Sequence, residues 1–352
     1  MKKYFYLIFG LAFFFFACKK KVGTNDNKFE TIVINFNESQ SVDIHENDNK
    51  IKSLTLEVTD HSLLTHIEDI QIRKNEIFVY DAHRVIVFDM DGKYIKKIGH
   101  RGQGPGEYTN INSFFFEGDN ICLYDGNLQK LFVYDENDNF LETRQTKEMI
   151  SSLYPIGQDK FIGKKKFQGD QVKVSTLAIL DKKLELQQNI GNRFLTSGIG
   201  VFDYCYSFNN NILYWEFFND TIYSIQGDGL FPLYYVDFQK YKIPEIEKKG
   251  KNISEIIEYI NQSTSNYATG VRYVQEDSLN IRFVFTLEGG INYVKYDKQT
   301  QKASLYHIHD STKSLQLEYF MKYSDGDIVL VVQDIEDEES NPKLLFISEE
   351  KI

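Results

Sequence analysis

The sequence predicts an all-β protein, closed as a six-bladed β-propeller of four-stranded antiparallel blades with one short inserted helix. Three observations predict it. A strand-turn-strand-turn-strand unit reads EIFVYDAHRVIVFDMDGKYIKKIG from Glu76 to Gly99 and NICLYDGNLQKLFVYDENDNFLETRQ from Asn120 to Gln145. Weaker copies follow, and the unit recurs at roughly 44 to 46 residues, the size of one four-stranded blade. The whole chain has only five prolines and no low-complexity linker. Its length beyond the amino-terminal segment would be large for one ordinary core, and a repeat architecture accommodates it.

In chain order, residues 1–17 form an export signal. Lys2 and Lys3 supply a positive start and Tyr4 to Phe16 is almost uninterruptedly apolar. A helix needs about 20 apolar residues to span a bilayer, so this shorter run reads as the removable core of a signal peptide. Phe15-Phe16-Ala17-Cys18 follows and resembles a lipobox, with Phe15 where leucine is usual; Cys18 is the expected lipidation site. Two or more acyl chains give stable attachment where one is marginal. Residues 18–28 are polar and aperiodic, a tether in which Lys19, Lys20 and Lys21 can meet anionic headgroups.

Residues 29–352 make up the propeller. Thr31 to Phe36 alternates like a strand, and it is expected to close the ring against the last blade, since closure protects open sheet edges. Blade-sized segments then run from about Ile67 to Ile347. Asp91-Gly92 and Asp138-Asn139 mark hairpins because glycine, and asparagine or aspartate less readily, accept positive φ. Asp89 and Asp135 read as turn residues that bond local amides. Between blades four and five, Asn252 is placed to cap a helix whose Ile253, Ile256, Ile257 and Ile260 share a face, with Glu255 three residues after the cap. It reads as a packed insertion on the rim.

These residues also carry a family likeness. LTLEVTDHSLLTHIEDIQI (Leu54 to Ile72), VFDMDGKYIKKIGHRGQGPGEY (Val87 to Tyr108) and NDTIYSI with DGLFPLYYVDFQKYKIP (Asn219 to Pro244) resemble the NHL-like six-bladed β-propeller lipoproteins of Bacteroidales-type envelopes. The resemblance implies the fold and export and implies little chemistry. Surface lipoproteins of such bacteria tend to carry acidic residues after the lipidated cysteine. Here Lys19 to Lys21 are basic, so an outer-membrane lipoprotein facing the periplasm is the expectation.

The net charge of −11 disfavours nucleic acid, whose binders present a basic face. Of three cysteines, Cys122 and Cys205 lie in strands without zinc spacing and read as buried thiols. The loop His100-Arg101-Gly102-Gln103-Gly104-Pro105-Gly106-Glu107-Tyr108 lacks the Gly-Lys-Ser/Thr of a phosphate loop, so no nucleotide is expected. Three glycines and Pro105 suit a tight connection between blades. Such connections line a propeller's mouth and carry binding groups, which makes His100, Arg101, Gln103, Glu107 and Tyr108 the candidate binding residues. His307-Ile308-His309 puts two imidazoles on one face of a strand, read as a solvent-facing strand with no metal assigned. His45, His61, His66 and His83 show no ligand spacing. The acidic run Asp334 to Ser340 lacks the pattern of an EF-hand loop. Most of the aromatic residues are expected between blades.

No Gly-x-Ser-x-Gly nucleophile elbow is present. The expectation is an exported, non-enzymatic binding module for a glycan, a peptide or another envelope partner, with no cofactor. The alternative is a metal-assisted lyase or hydrolase with its ion in the central channel, supported by analogy of fold alone.

Overall fold

The structure, a computed structural model, describes residues 29–352 except 45–50, 82–83, 158, 167–173, 194–203, 209–210, 217, 227–228, 249–250, 252, 263–265, 325 and 336–339. The export signal, Cys18, the tether, His45, His83, Asn252 and most of the Asp334 to Ser340 run lie outside the described residues.

Six sheets form the blades. Blade one comprises Ile67–Arg73, Glu76–Asp81, Arg84–Asp89 and Tyr94–Ile98; blade two comprises Ser113–Glu117, Asn120–Asp125, Lys130–Tyr134 and Phe140–Gln145. Blade three comprises Ile150–Pro155, Lys160–Lys165, Val174–Asp181 and Leu186–Arg193, and blade four Tyr204–Phe208, Asn211–Trp215, Thr221–Gln226 and Gly229–Asp237. Blade five comprises Arg272–Glu276, Asn280–Leu287, Gly290–Asp297 and Lys302–His309, and blade six starts with Leu315–Ser324, Asp327–Asp334 and Lys343–Ser348. Neighbouring strands within these sets are antiparallel and consecutive in the chain.

Ring closure differs from the expectation. The fourth strand of blade six is Ile51–Thr55, antiparallel to Lys343–Ser348 with Leu54 opposite Leu344. Glu30–Val33, from the segment expected to close the ring, instead pairs in parallel with the outer strand of blade four, Ile32 opposite Val236. Its strong alternation reflects burial, because Ile32 and Ile34 are fully covered in a cluster with Phe238, Phe283 and Phe285 between blades four and five. Gln40–Asp43 then pairs in parallel with the outer strand of blade five. The amino-terminal segment is thus a belt across three successive blades, covering two outer edges that would otherwise be open to pairing.

Each blade is buried on both faces. Phe78 and Tyr80 pack toward blade two with Phe114, Leu123 and Phe132, while Ile77 and Val79 pack toward blade six with Val329, Val331 and Leu344. Strands buried on two sides read as continuous apolar runs, which is why FVY and VIVF are not interrupted by polar residues. Cys122 is a buried thiol between blades two and three, and burial pushes its pKa up. Cys205 lies in Tyr204–Phe208, with its side chain outside what is described.

Aspartates set the turns. Asp89, Asp135 and Asp181 each accept the backbone N–H of the residues two and four positions on, closing the third hairpin of blades one to three. Asp138 adopts a φ of 66° and Gly92 a φ of 79°. The helix Ile253–Gln262 lies between blades four and five, as expected. Ile256 is buried against Phe218 and Ile243, with Tyr259 and Ile260 beside them, whereas Ile257 is exposed. A four-residue helix, Glu245–Lys248, precedes it.

Candidate functional site

The loop after blade one is built from the inside out. Gly99 takes a φ of 62°, and its N–H donates to Asp138 Oδ1 at 2.7 Å, across to the last hairpin of blade two. His100–Arg101 and Glu107–Tyr108 pair in parallel as a miniature sheet, and Gly102 N–H donates to the Tyr108 carbonyl at 2.9 Å. Glu107 folds back so that Oε2 accepts from Gly104 N–H at 2.7 Å. Tyr134 donates its hydroxyl to the Gly106 carbonyl at 2.7 Å.

These bonds distribute the five candidate residues unequally. Tyr108 is 1% exposed, its hydroxyl directed at the Ile98 carbonyl, and burial pushes its pKa up to about 12. Glu107 is half-buried and used in shaping the loop. His100, Arg101 and Gln103 are exposed. The loop is therefore a fixed frame that holds three polar side chains in solvent, and loops on rigid scaffolds suit recognition.

The loop's position corrects the expectation of a place at the propeller mouth. Residues 99–106 lean on Asp138, Tyr134 and Phe140, the outer part of blade two, because the chain leaves the outermost strand of blade one and meets its neighbour's rim at once. Only at Thr109 and Asn110 does it turn inward, where Asp125, fully buried, accepts both backbone N–H groups and the Thr109 hydroxyl at 2.7 to 2.9 Å. Asp81 does the same for Thr65 and His66 one blade earlier.

The hairpin that receives Gly99 also walls a groove of about 310 Å³ between blades one and two. Arg73 and Lys74 enter it from the first turn of blade one, Lys96 from its outer strand, and Asp119, Glu136 and Asn137 from turns of blade two. Phe78 and Phe116 meet edge to face at 4.9 Å in its wall. Arg73 covers the Phe116 ring at 4.7 Å and pairs with Asp119 at 3.1 Å. Lys74 bridges Asp119 at 2.8 Å and Glu136 at 3.0 Å, and Lys96 donates to the Glu136 carbonyl. Exposed pairs of this kind add little stability; what they provide is an alternating charge pattern over an aromatic wall. These residues were missed in the sequence because each reads as an ordinary turn or strand residue, and only the packing of one blade on the next sets them side by side.

Gly99 ties the loop to this hairpin, which gives a direct prediction. A Cβ there would sit 2.6 Å from the Tyr134 hydroxyl, which is itself held by Gly106. Gly99→Ala is expected to cost about 2 kcal/mol from left-handed strain and overlap, measured by urea unfolding. An unchanged midpoint would show that the loop is not seated as described.

Among the described residues, no group of three or more His, Cys, Asp or Glu side chains converges on a metal site. His307 and His309 do share a face, yet they are half-buried beside the belt rather than bare to solvent.

Residues 29–350 match the family known as a domain of unknown function, DUF4934. The chain belongs to the DUF4934 family. No curated protein matches it. Among solved structures, this DUF4934 chain is similar to a Bacteroides fragilis protein thought to be exported, at 19% identity and a TM-score of 0.68, covering 90% of this chain and 98% of that one. A DUF4221-family member from Bacteroides vulgatus is similar at 9% identity and a TM-score of 0.59, covering 85% and 98%. At these identities the likeness establishes the propeller fold.

Proposed function

We propose that this DUF4934 protein is an exported, lipid-anchored binding module that docks a polypeptide partner of the cell envelope along the rim between blades one and two. The observation that carries the reading is the loop His100 to Gln103, fixed from beneath by Asp138, Tyr134 and Glu107 while its polar side chains stay in solvent. Preorganisation lowers the entropy a binding surface loses on association. The adjoining groove alternates Arg73, Lys74 and Lys96 with Asp119 and Glu136, a pattern suited to peptide charges and amides. The guanidinium of Arg73 already lies over one face of Phe116, the stacking position a sugar would use; this favours a peptide over a glycan.

Export rests on Lys2, Lys3, the Tyr4 to Phe16 run and Cys18, and the B. fragilis relative thought to be exported is in keeping with it. No helix among the described residues is long and apolar enough to cross a membrane, and attachment is assigned to acyl chains on Cys18, with the propeller facing the periplasm from the outer membrane.

Two arms test the reading. Cys18→Ala is expected to lose acyl labelling and globomycin-sensitive processing and to leave the membrane fraction; unchanged attachment refutes the anchor. Against panels of envelope-protein peptides and of glycans, the wild type is expected to retain peptides. The variant His100→Ala, Arg101→Ala, Gln103→Ala should weaken this about tenfold or more. Equal retention by the variant, or binding confined to glycans, contradicts the proposal.

A further inference from the structure

The outer strand of blade five carries a second constellation. In the register of its sheet, Phe285, Asn292, His307 and Ser41 stand opposite one another across four strands, and Asp43 stands opposite His309. Phe285 packs in the cluster between blades four and five, so this row faces the crevice toward blade four. Gly290, beside the histidines, leaves the space its side chain would fill to the His307 ring.

The two imidazoles lie 5.7 Å apart between centres, their planes 26° apart. Each has one nitrogen engaged: His307 Nδ1 meets Asn292 Oδ1 at 3.3 Å, and His309 Nε2 meets Ser41 Oγ at 2.7 Å. The opposite nitrogens, His307 Nε2 and His309 Nδ1, have no hydrogen-bond partner among the described residues. Ligating histidines in general have one nitrogen oriented by an oxygen and the other left for the ion, and each of these two rings has one nitrogen so oriented.

We propose that His307 and His309 form an open, two-imidazole site for a divalent transition metal ion, with water completing its coordination. Imidazole selects Zn²⁺, Ni²⁺ or Cu²⁺ over Mg²⁺ and Ca²⁺, which prefer oxygen. Two imidazoles on one tetrahedral ion at about 2 Å from each nitrogen have centres about 5 Å apart. The rings are stacked, so an ion requires them to turn out of the stack about χ2, a broad and soft torsion, and to close by less than about 1 Å. Because Ser41 belongs to the belt and orients His309, a bound ion clips the belt to blade five.

The test is calorimetric titration of the full chain in detergent with Zn²⁺ or Ni²⁺ alone. One ion per chain is expected, with a rise in melting temperature, since a ligand specific to the folded state stabilises it. His307→Ala and His309→Ala should abolish binding, and Ser41→Ala and Asn292→Ala should weaken it about tenfold or more. Absence of binding, or full binding in the doubly substituted His307→Ala, His309→Ala chain with an unaltered circular dichroism spectrum, overturns the proposal. Should the alanine variants misfold, electron paramagnetic resonance of Cu²⁺ on the wild type decides: imidazole nitrogen coupling supports the site, and its absence overturns it.

Discussion

Glu349→Ala is expected to lower folding stability by about 3 to 5 kcal/mol, the range for removing one partner of a buried ion pair. Glu349 is buried beside blade five, where Oε1 accepts from Arg282 Nε at 2.7 Å and from the Tyr293 hydroxyl. Its other oxygen accepts from Arg282 Nη2 at 3.1 Å and from Lys295 at 2.8 Å. Removing the carboxylate takes a bidentate partner from the Arg282 guanidinium, which is 4% exposed and also pairs with Asp277. The carboxylate joins the carboxyl terminus to blade five, while Glu349 N–H donates to Gly326 of blade six, so the loss should also loosen the last blade. Burial by itself would raise the Glu349 pKa, but hydrogen bonds from Arg282, Lys295 and Tyr293 outweigh it and hold the group below its ordinary 4.5. A depressed folded pKa gives stability that is fully present above the unfolded value and lost as pH falls through the folded one. Urea midpoints should therefore decline below about pH 4.5 in the wild type and decline less steeply in Glu349→Gln. Equal acid sensitivity in the two proteins would falsify this assignment.

Asp125→Ala is expected to cost about 4 kcal/mol. Its two oxygens accept five hydrogen bonds, from Thr109 N–H, the Thr109 hydroxyl, Asn110 N–H, Asn127 N–H and Leu128 N–H. Buried donors left without an acceptor each cost about 1 to 3 kcal/mol, tempered by relaxation and water. Asp125→Asn keeps the shape and some acceptor capacity and should cost about half as much. Burial would raise the Asp125 pKa, and the bonds from Thr109, Asn110 and Leu128 outweigh it and lower the value. Because Asp125 fixes the inward end of the 99–112 connection, hydrogen exchange at Gly102 and Gly104 should quicken in Asp125→Ala. A change under about 1 kcal/mol in urea unfolding, with exchange at those amides unaltered, would show that the carboxylate is dispensable.

The blades were legible because their signals are local. Tyr-Asp at 80–81 and 124–125, and Asp89 and Asp135 before their hairpins, mark strand ends through bonds spanning a few residues in the chain or reaching back to the connection that enters the same blade. Closure was not legible. Ile51–Thr55 buries only Leu54 fully and exposes Lys52 and Ser53, as an outermost strand must, so it reads as unremarkable beside the alternating Ile32 and Ile34. The belt's parallel pairing to blades four and five depends on residues some 200 or more positions away, and no local pattern encodes that. At the candidate site the special loop was visible from its glycines, whereas its seat on the rim came from Asp138 and Tyr134, whose proximity follows from how neighbouring outer strands cross. Tyr108 shows the same limit, since an aromatic residue in a polar loop reads as a contact group until its burial is known.

The proposed contact between the rim of blades one and two and a polypeptide partner is tested most directly by photo-crosslinking in cells. A crosslinking residue placed at Gln103 or at Asn137 should yield a discrete protein adduct, while one at Lys182, exposed on blade three, should not. No adduct from either rim position, or equal adducts from all three, would contradict it.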